Sequence, residues 1–440
     1  MSAFLLEQLL RGTLSDPDGA GMLSVPTKSV VIAVSLAGAA ADLVTALGFG
    51  QRLLVVSDPT THGILGQRVA SDLAVRFTID ELILDDAPHA DLATVELIEA
   101  RQSATAAAAL VAVGSGTIND LCKYAAHRIG IPYVVFATAP SMNGYTSVSA
   151  AITVEGHKKS LPATAAAGVF ADLGILAKAP RRMIQAGFGD SICRSTAQTD
   201  WLLAHLLLDQ PYRHAPFALL VEDEAALLAR PDRLLHGEAD AIELLTRNLV
   251  LSGFGMTICG SSQPASQGEH LISHYLEMLP PDGWSPAFHG EQVAVATLTM
   301  ARLQEAMLTE ATPILQPTHL GEADLVTHFG PELGHSCWHG FSSKCLTDAE
   351  TGQLNRRLQR DWPLMRSRLM EVRREAAQLQ QALMAVGAPT APADIGLTPD
   401  RYRQAVLHAR EIRDRFTFLD LAAENGLLPA FAAADGPFSS

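Results

Sequence analysis

At 440 residues the chain is too long for one ordinary core, and its length predicts two or three domains. A hydrophobic content of 48% with 18% charged residues excludes a disordered chain. The formal net charge of −15, with no Lys/Arg block to displace phosphate counterions, argues against a nucleic-acid partner.

Residues 1–28 predict a helix and a loop of no obvious chemistry. Ser29 to Val34 and Arg52 to Ser57 read as strands around a helix, Ala37 to Leu47, that ends near Gly48 and Gly50. The second strand closes on Asp58-Pro59. A carboxylate at the carboxyl end of a strand commonly holds an adenosine ribose hydroxyl, and an ordinary turn aspartate is the alternative. Leu82 to Asp85 predicts a further strand, and Leu92 to Ala109 a helix. Next come a buried strand, Ala107 to Val113, a tight turn at Gly114-Ser115-Gly116, and a helix from Thr117 to Ile129. A second buried strand, Tyr133 to Ala137, runs into a polar turn from Thr138 to Ser147. This β-α-β unit places glycines at the strand-to-helix corner, where free N–H groups and the helix dipole favour a pyrophosphate. The spacing G-x-G-x-x-x-D departs from the usual dinucleotide fingerprint, so a turn serving only the fold stays open. Alternation of strand and helix to about residue 180 predicts an α/β domain, Rossmann-like, with a parallel sheet.

Beyond Lys178-Ala179-Pro180 the periodicity turns helical, over Asp190 to Leu208, Glu238 to Met256, Glu269 to Leu279, Glu291 to Leu308 and Leu354 to Val386. The expected division is 1–180, nucleotide-binding, and 181–440, an all-α domain for metal and substrate. Three polar sites stand out there. Asp190 follows Gly187-Phe188-Gly189 at an expected helix start, where it could simply cap the helix. His270 and His274 lie four apart, on one helix face. His289 precedes the Glu291 helix. One aspartate and two histidines make a three-ligand divalent site with an open position, suited to zinc, iron or nickel. His335 and His339 share the i, i+4 spacing, so spacing alone does not choose between the pairs. Five dispersed cysteines without a Cys-x-x-Cys pair suit free thiols in a reducing cytoplasm. No apolar run reaches the roughly 18 residues of a membrane span. Met1 to Arg11 lacks the basic lead of a signal peptide.

The segments VGSGTINDLCKYAA, ATAPSMNGYTS, AGFGDSICRSTAQTDW, GSSQPASQGEHLISH, HGEQVAVAT and IRDRFTFLDLAAENGLL together resemble the sn-glycerol-1-phosphate dehydrogenases. These belong with the iron-containing alcohol dehydrogenases, glycerol dehydrogenases and dehydroquinate synthases. The resemblance spans about 50 to 428. It implies a Rossmann-like α/β N-terminal domain, an all-α C-terminal domain in the dehydroquinate synthase manner, and an active cleft between them. It also implies NAD(H) or NADP(H) and one divalent metal (Zn, Fe or Ni), a homodimer or larger homo-oligomer, a cytoplasmic place in phospholipid metabolism, and reduction of dihydroxyacetone phosphate. A dehydrogenase of the same superfamily for a different polyol, amino-polyol or aldehyde, or a non-catalytic nucleotide-binding relative, is the alternative. By resemblance Asp190, His270 and His289 are the metal ligands, and Asp190 and His274 are catalytic. Gly114, Gly116, Thr117, Ile118, Asn119, Asp120, Thr138, Ser141 and Ser147 fall on cofactor positions, with Asp58 on the ribose. Substrate positions fall on Asn143, Asp190 and His274, while His335 and His339 fall to structural or surface status. Lys158 and Lys159 are candidates to neutralise a substrate phosphate, with ordinary exposed lysines the alternative.

Two residues depart from the family pattern. Asn143 stands where the S-x-D-G turn has Asp, and Gln263 replaces an Arg. Exchanging a carboxylate for an amide removes one charge-assisted bond, worth about 1.5–3 kcal/mol, and adds a donor. The expected consequence is a shifted substrate preference, with Asn143→Asp improving use of dihydroxyacetone phosphate.

Overall fold

Apolar runs of five or six residues, each followed by an amphipathic helix, assemble into one parallel sheet. The computed structural model describes residues 2–19, 21–154 and 157–434. By contact the chain forms two units, 1–191 with 214–262 and 192–213 with 263–440. The boundary expected at 180 therefore falls inside the first unit.

In the first unit six parallel strands form the sheet: Ser29–Ala33 (β1), Arg52–Ser57 (β2), Thr78–Ile83 (β3), Ala109–Gly114 (β4), Tyr133–Ala137 (β5) and Gly168–Asp172 (β8). Their order across the sheet is β1-β8-β5-β4-β2-β3. Every residue of β4, β5 and β8 is buried, because both faces of the sheet are covered. The pleat sends alternate residues to opposite faces. Leu54, Val56, Leu110, Ala112 and Val135 join one apolar cluster, while Leu53, Val55, Val111, Val113 and Phe136 join another. Val250, Leu251 and Phe254 of the helix Ala239–Cys259 (α4) fill the first of these clusters.

Two local expectations change. The third strand begins four residues earlier than expected. Thr78, Asp80 and Glu81 read as polar, but at the sheet edge they pair only with β2. An antiparallel hairpin, Ser149–Val154 (β6) with His157–Pro162 (β7), follows the polar turn and was not expected. The helix from Leu92 stops at Thr105, where Ala106 turns left-handed.

The second unit is helical around a large apolar cluster. The helices that matter below are Arg194–Leu208 (α3), Gly268–Met278 (α5) and His289–Met307 (α6). The helix expected from Leu354 to Val386 is two, Asp348–Val372 and Ala376–Val386. No proline or glycine marks the break. Glu305 makes it, accepting from the Ala376 N–H at 2.9 Å and pairing with Arg373 at 3.1 Å. Among the described residues no helix is long and apolar enough to cross a membrane, and all five cysteines are free.

Candidate active site

The strand order fixes where a cofactor can dock in the first unit. The chain runs outward from β2 to β3, then crosses back to β4 and continues to β5 and β8. The direction reverses between β2 and β4, and ligands of open α/β sheets bind outside the strand ends at such a point. Asp58 follows β2, and Gly114-Ser115-Gly116 begins at the last residue of β4, so the two sequence-predicted cofactor segments flank the reversal. Asp58 caps the next short helix, its Oδ1 accepting from Thr61 N at 2.7 Å.

The helix Gly116–Ile129 (α1) starts at this corner. A side chain on Gly114 would lie 2.6 Å from Ile118 Cβ, so glycine there lets the helix pack close to its strand. At Gly116 the nearest atom to an added Cβ is Met142 Cγ at 3.5 Å, which leaves the turn approachable. Ser115 gives no side-chain cap, so the first-turn N–H groups of Gly116, Thr117 and Ile118 have no intrahelical acceptor. Several other predicted cofactor residues are engaged in holding the adjacent turn. Asp120 accepts from Asn119 Nδ2 at 2.9 Å and from Ala151 N at 3.1 Å. Asn119 Oδ1 lies 3.4 Å from the Tyr133 hydroxyl. Ser147 Oγ lies 3.0 Å from both Gly144 O and Ser149 O. Thr138 N donates to Gly114 O at 3.1 Å, and Ser141 is half-buried beside it.

Sequence reasoning missed the centre of that turn. Lys123 is wholly buried and donates to Gly144 O, to Ser149 O at 3.0 Å and to Ser147 Oγ at 3.1 Å. Burial pushes its ammonium pKa down, and the Asp120 carboxylate 3.4 Å away opposes that shift. Nothing in the sequence marked it, because on the helix Lys123 lies roughly opposite the apolar face of Ile118, Leu121, Cys122 and Ala125.

Asp190 is not at a helix start. It occupies the last turn of Arg181–Ile192 (α2), and the helix breaks at Cys193. Gly187 and Gly189 look like helix breakers in the sequence. Gly187 is instead a contact point, since a Cβ there would fall 1.7 Å from Pro140 O. This closeness brings the turn to Asp190, which is buried. Asn143 N donates to Asp190 Oδ2 at 2.7 Å and Asn143 Nδ2 to Oδ1 at 3.3 Å. One amide hydrogen of Asn143 is thus spent on Asp190 rather than on a substrate oxygen. Lys159 is exposed on β7, and the side chain of Lys158 lies outside the described residues.

In the second unit the helical spacing does what the sequence implied. His270 and His274 share a face of α5, with ring centroids 5.8 Å apart. His289, the first residue of α6, lies 5.1 Å from the His270 ring and 6.0 Å from that of His274. Glu269, fully buried, was not singled out from sequence. Its Oε1 is 3.0 Å from His270 Nδ1, while Gln267 N and Thr196 Oγ1 hold the carboxylate at 2.8 and 3.1 Å. Burial pushes the Glu269 pKa up, but the His270 ring and the Gln267 N–H outweigh it and hold it below the usual value. An ionised carboxylate places the imidazole proton on Nδ1 and leaves Nε2 as a lone-pair donor, the usual tautomer of a metal-binding histidine. Gln263, the second departure, lines a cavity of about 460 Å³ with Trp201, Gln267, Lys344 and Arg415. His335 is exposed and pairs with Glu322 at 2.8 Å, and His339 is also exposed.

Comparison with known proteins places these features in one family. The chain is 32% identical over 375 residues to a glycerol-1-phosphate dehydrogenase (NAD(P)+) of Halalkalibacterium halodurans, covering 83% of this chain and 84% of the relative. It is 30% identical over 412 residues to that of Haloquadratum walsbyi, covering 94% and 96%. The chain belongs to the glycerol-1-phosphate dehydrogenase family. The family model for iron-containing alcohol dehydrogenases matches residues 31–180 of this glycerol-1-phosphate dehydrogenase family member. Its fold is shared with solved structures of far lower identity. Glycerol dehydrogenase from Schizosaccharomyces pombe aligns with TM-score 0.61 at 14% identity, covering 92% of this chain and 90% of that one. Maleylacetate reductase from Agrobacterium tumefaciens aligns with TM-score 0.61 at 17% identity, covering 92% and 96%. Family membership makes the chain an oxidoreductase of the alcohol dehydrogenase kind.

Proposed function

We propose that the protein is a divalent-metal-dependent, NAD(P)H-linked dehydrogenase that reduces dihydroxyacetone phosphate to sn-glycerol 1-phosphate. The observation that carries this reading is the imidazole cluster of α5 and α6, where the buried Glu269 fixes the tautomer of His270. The substrate assignment follows the names of the sequence relatives.

Asp190, His270 and His289 would hold the ion, zinc, iron or nickel. When bound, it supplies a Lewis acid to the carbonyl and an adjacent hydroxyl oxygen of the substrate. The N-terminus of α1 receives the cofactor pyrophosphate, the helix dipole and three unsatisfied N–H groups offsetting its charge. Thr138 and Ser141 line the same turn, towards the nicotinamide. Asp58 accepts from the ribose 2′-hydroxyl and repels a 2′-phosphate, so NADH is preferred to NADPH. His274 donates the proton that the carbonyl oxygen takes up as its carbon accepts hydride, so that the ketone becomes a secondary alcohol and the nicotinamide is oxidised. The enzyme works as a homodimer or larger homo-oligomer.

The test is an NADH- and NADPH-oxidation screen over dihydroxyacetone phosphate, other ketone phosphates, ketoses and aldehydes, with Zn²⁺, Ni²⁺ or Fe²⁺ restored to chelator-treated protein. Fastest turnover on dihydroxyacetone phosphate with a restored ion is expected. Equal turnover with and without metal, or none on any ketone phosphate, overturns the reading.

A further inference from the structure

The stripe of α5 that carries His270 and His274 continues one turn further to Glu277, at spacings of four and three residues. Opposite it stands His289. One donor atom from each of His274, Glu277 and His289 lies within 4.8 Å of the other two. All three residues belong to the second unit, and the set needs neither Asp190 nor His270.

The contact between His289 and Glu277 is what an ion would explain. His289 Nδ1 is buried and has no hydrogen-bond partner among the described residues. It lies 3.8 Å from Glu277 Oε1, too far for a hydrogen bond. Two donors on a tetrahedral ion with bonds of about 2.0–2.2 Å stand roughly 3.4 Å apart, so a small side-chain adjustment seats a cation between them. An unsatisfied buried nitrogen facing a carboxylate is costly without such a cation. Two imidazoles and one carboxylate suit zinc, nickel or iron rather than calcium or magnesium. The half-buried Arg413 guanidinium also feels the charge of Glu277. A carboxylate has two oxygens, and a cation beside one leaves the other able to face an ion.

We propose that His274, Glu277 and His289 form a divalent-cation site of their own, an alternative seat that competes with the Asp190, His270, His289 set for His289. A neutral imidazole has one lone pair, so the two seats are filled one at a time. An ion in the alternative seat also occupies His274, and the protein so loaded is inactive; that clause alone rests on the role given to His274 above.

The test is metal content after equilibrium dialysis of the full chain against micromolar Zn²⁺, read by elemental analysis. Wild type and Glu277→Gln should each keep one ion. Asp190→Asn should also keep one, bound at least tenfold more weakly, and Asp190→Asn/Glu277→Gln should keep none. His270→Ala, alone and with Glu277→Gln, repeats the comparison in case an Asp190 variant does not fold. An Asp190→Asn chain without zinc, or one whose zinc survives Glu277→Gln, overturns the site. These ion counts need no turnover, so they stand apart from failure of the dehydrogenase reading. Substantial turnover by zinc-loaded Asp190→Asn overturns the clause about His274.

Discussion

Gly187→Ala tests whether the close approach of α2 to the Pro140 turn sets the geometry of Asp190. The added Cβ would lie 1.7 Å from Pro140 O, 2.8 Å from Pro140 C and 3.2 Å from Ser141 Cα, all backbone atoms that cannot rotate away. Real Cβ contacts do not fall below 3.0 Å, so helix and turn must part by more than an ångström. The Asn143 N to Asp190 Oδ2 bond, now 2.7 Å, then stretches past about 3.5 Å and is lost. Overpacking of this kind costs about 1–3 kcal/mol, and a hydrogen bond to a charged group about 1.5–3, so the variant should lose roughly 2.5–6 kcal/mol. Urea unfolding followed by far-UV circular dichroism measures the loss, and dialysis against a chelator series measures retention of metal. Gly352→Ala is the control. Its Cβ meets only the flexible end of Arg356 at 3.7 Å, so it should be neutral or stabilising by about 0.5–1 kcal/mol. If Gly187→Ala stays within about 1 kcal/mol of wild type with full activity, the close approach does not position Asp190, and the reasoning fails.

Lys123→Met should destabilise by about 3–5 kcal/mol, since it leaves Asp120, Ser147 and two carbonyls without their buried cation. A raised KM for NAD(H) should accompany the loss of stability, and an unchanged melting temperature would refute it. Glu269→Gln should weaken metal affinity about 10- to 100-fold by releasing the His270 tautomer, read by competition with a chromophoric chelator. His328 Nε2 lies 2.8 Å from the Tyr275 hydroxyl; burial, then His408 and Arg401, lower its pKa from 6.5 to about 4. The unfolded chain takes up that proton first, so this contribution to stability is complete above pH 6.5 and drains away as pH falls towards 4. Urea midpoints across that window should fall less steeply in His328→Gln. Asn143→Asp places a second carboxylate 3.3 Å from Asp190 Oδ1, so without metal it should lower the melting temperature at pH 8 more than at pH 5. Added Zn²⁺ should reverse that loss. A pH-independent effect would show that the two carboxylates do not face each other.

The β4-α1-β5 core was legible because strands covered on both faces leave continuous apolar runs, and the glycines at the corner have few other uses. The edge strand β3 was shortened in the sequence reading because Asp80 and Glu81 look like loop residues until β2 is seen beside them. A break set by Glu305 could not be found within the long helix itself, since its cause lies 71 residues from Ala376. At the site, His270, His274 and His289 were singled out by the family resemblance, since the chain has 15 histidines and His335 and His339 share the helical spacing. Their supports were less visible. Glu269 and Glu277 look like ordinary helix carboxylates, and Lys123 looks like an ordinary helix lysine until burial shows what each faces. The glycines before Asp190 misled for a physical reason, because a glycine kept for close packing and one kept for a break look alike in sequence.

The division of the chain also sets the order in which it can fold during synthesis. The first unit needs α4, whose Val250, Leu251 and Phe254 belong to its core, so it stays incomplete until about residue 262 has emerged from the ribosome. By then the segment 192–213 is already out, and its Leu202, Leu203 and Leu207 await partners encoded beyond residue 263. For that interval an apolar helix is exposed with nothing of its own unit to cover it. Such segments draw chaperones or aggregate when synthesis stalls. Ribosomes arrested far enough on that residue 262 has left the exit tunnel, but little beyond it, should therefore yield a protease-resistant first unit with a cleavable loop at 192–213, whereas chains emerged only to 191 should yield neither.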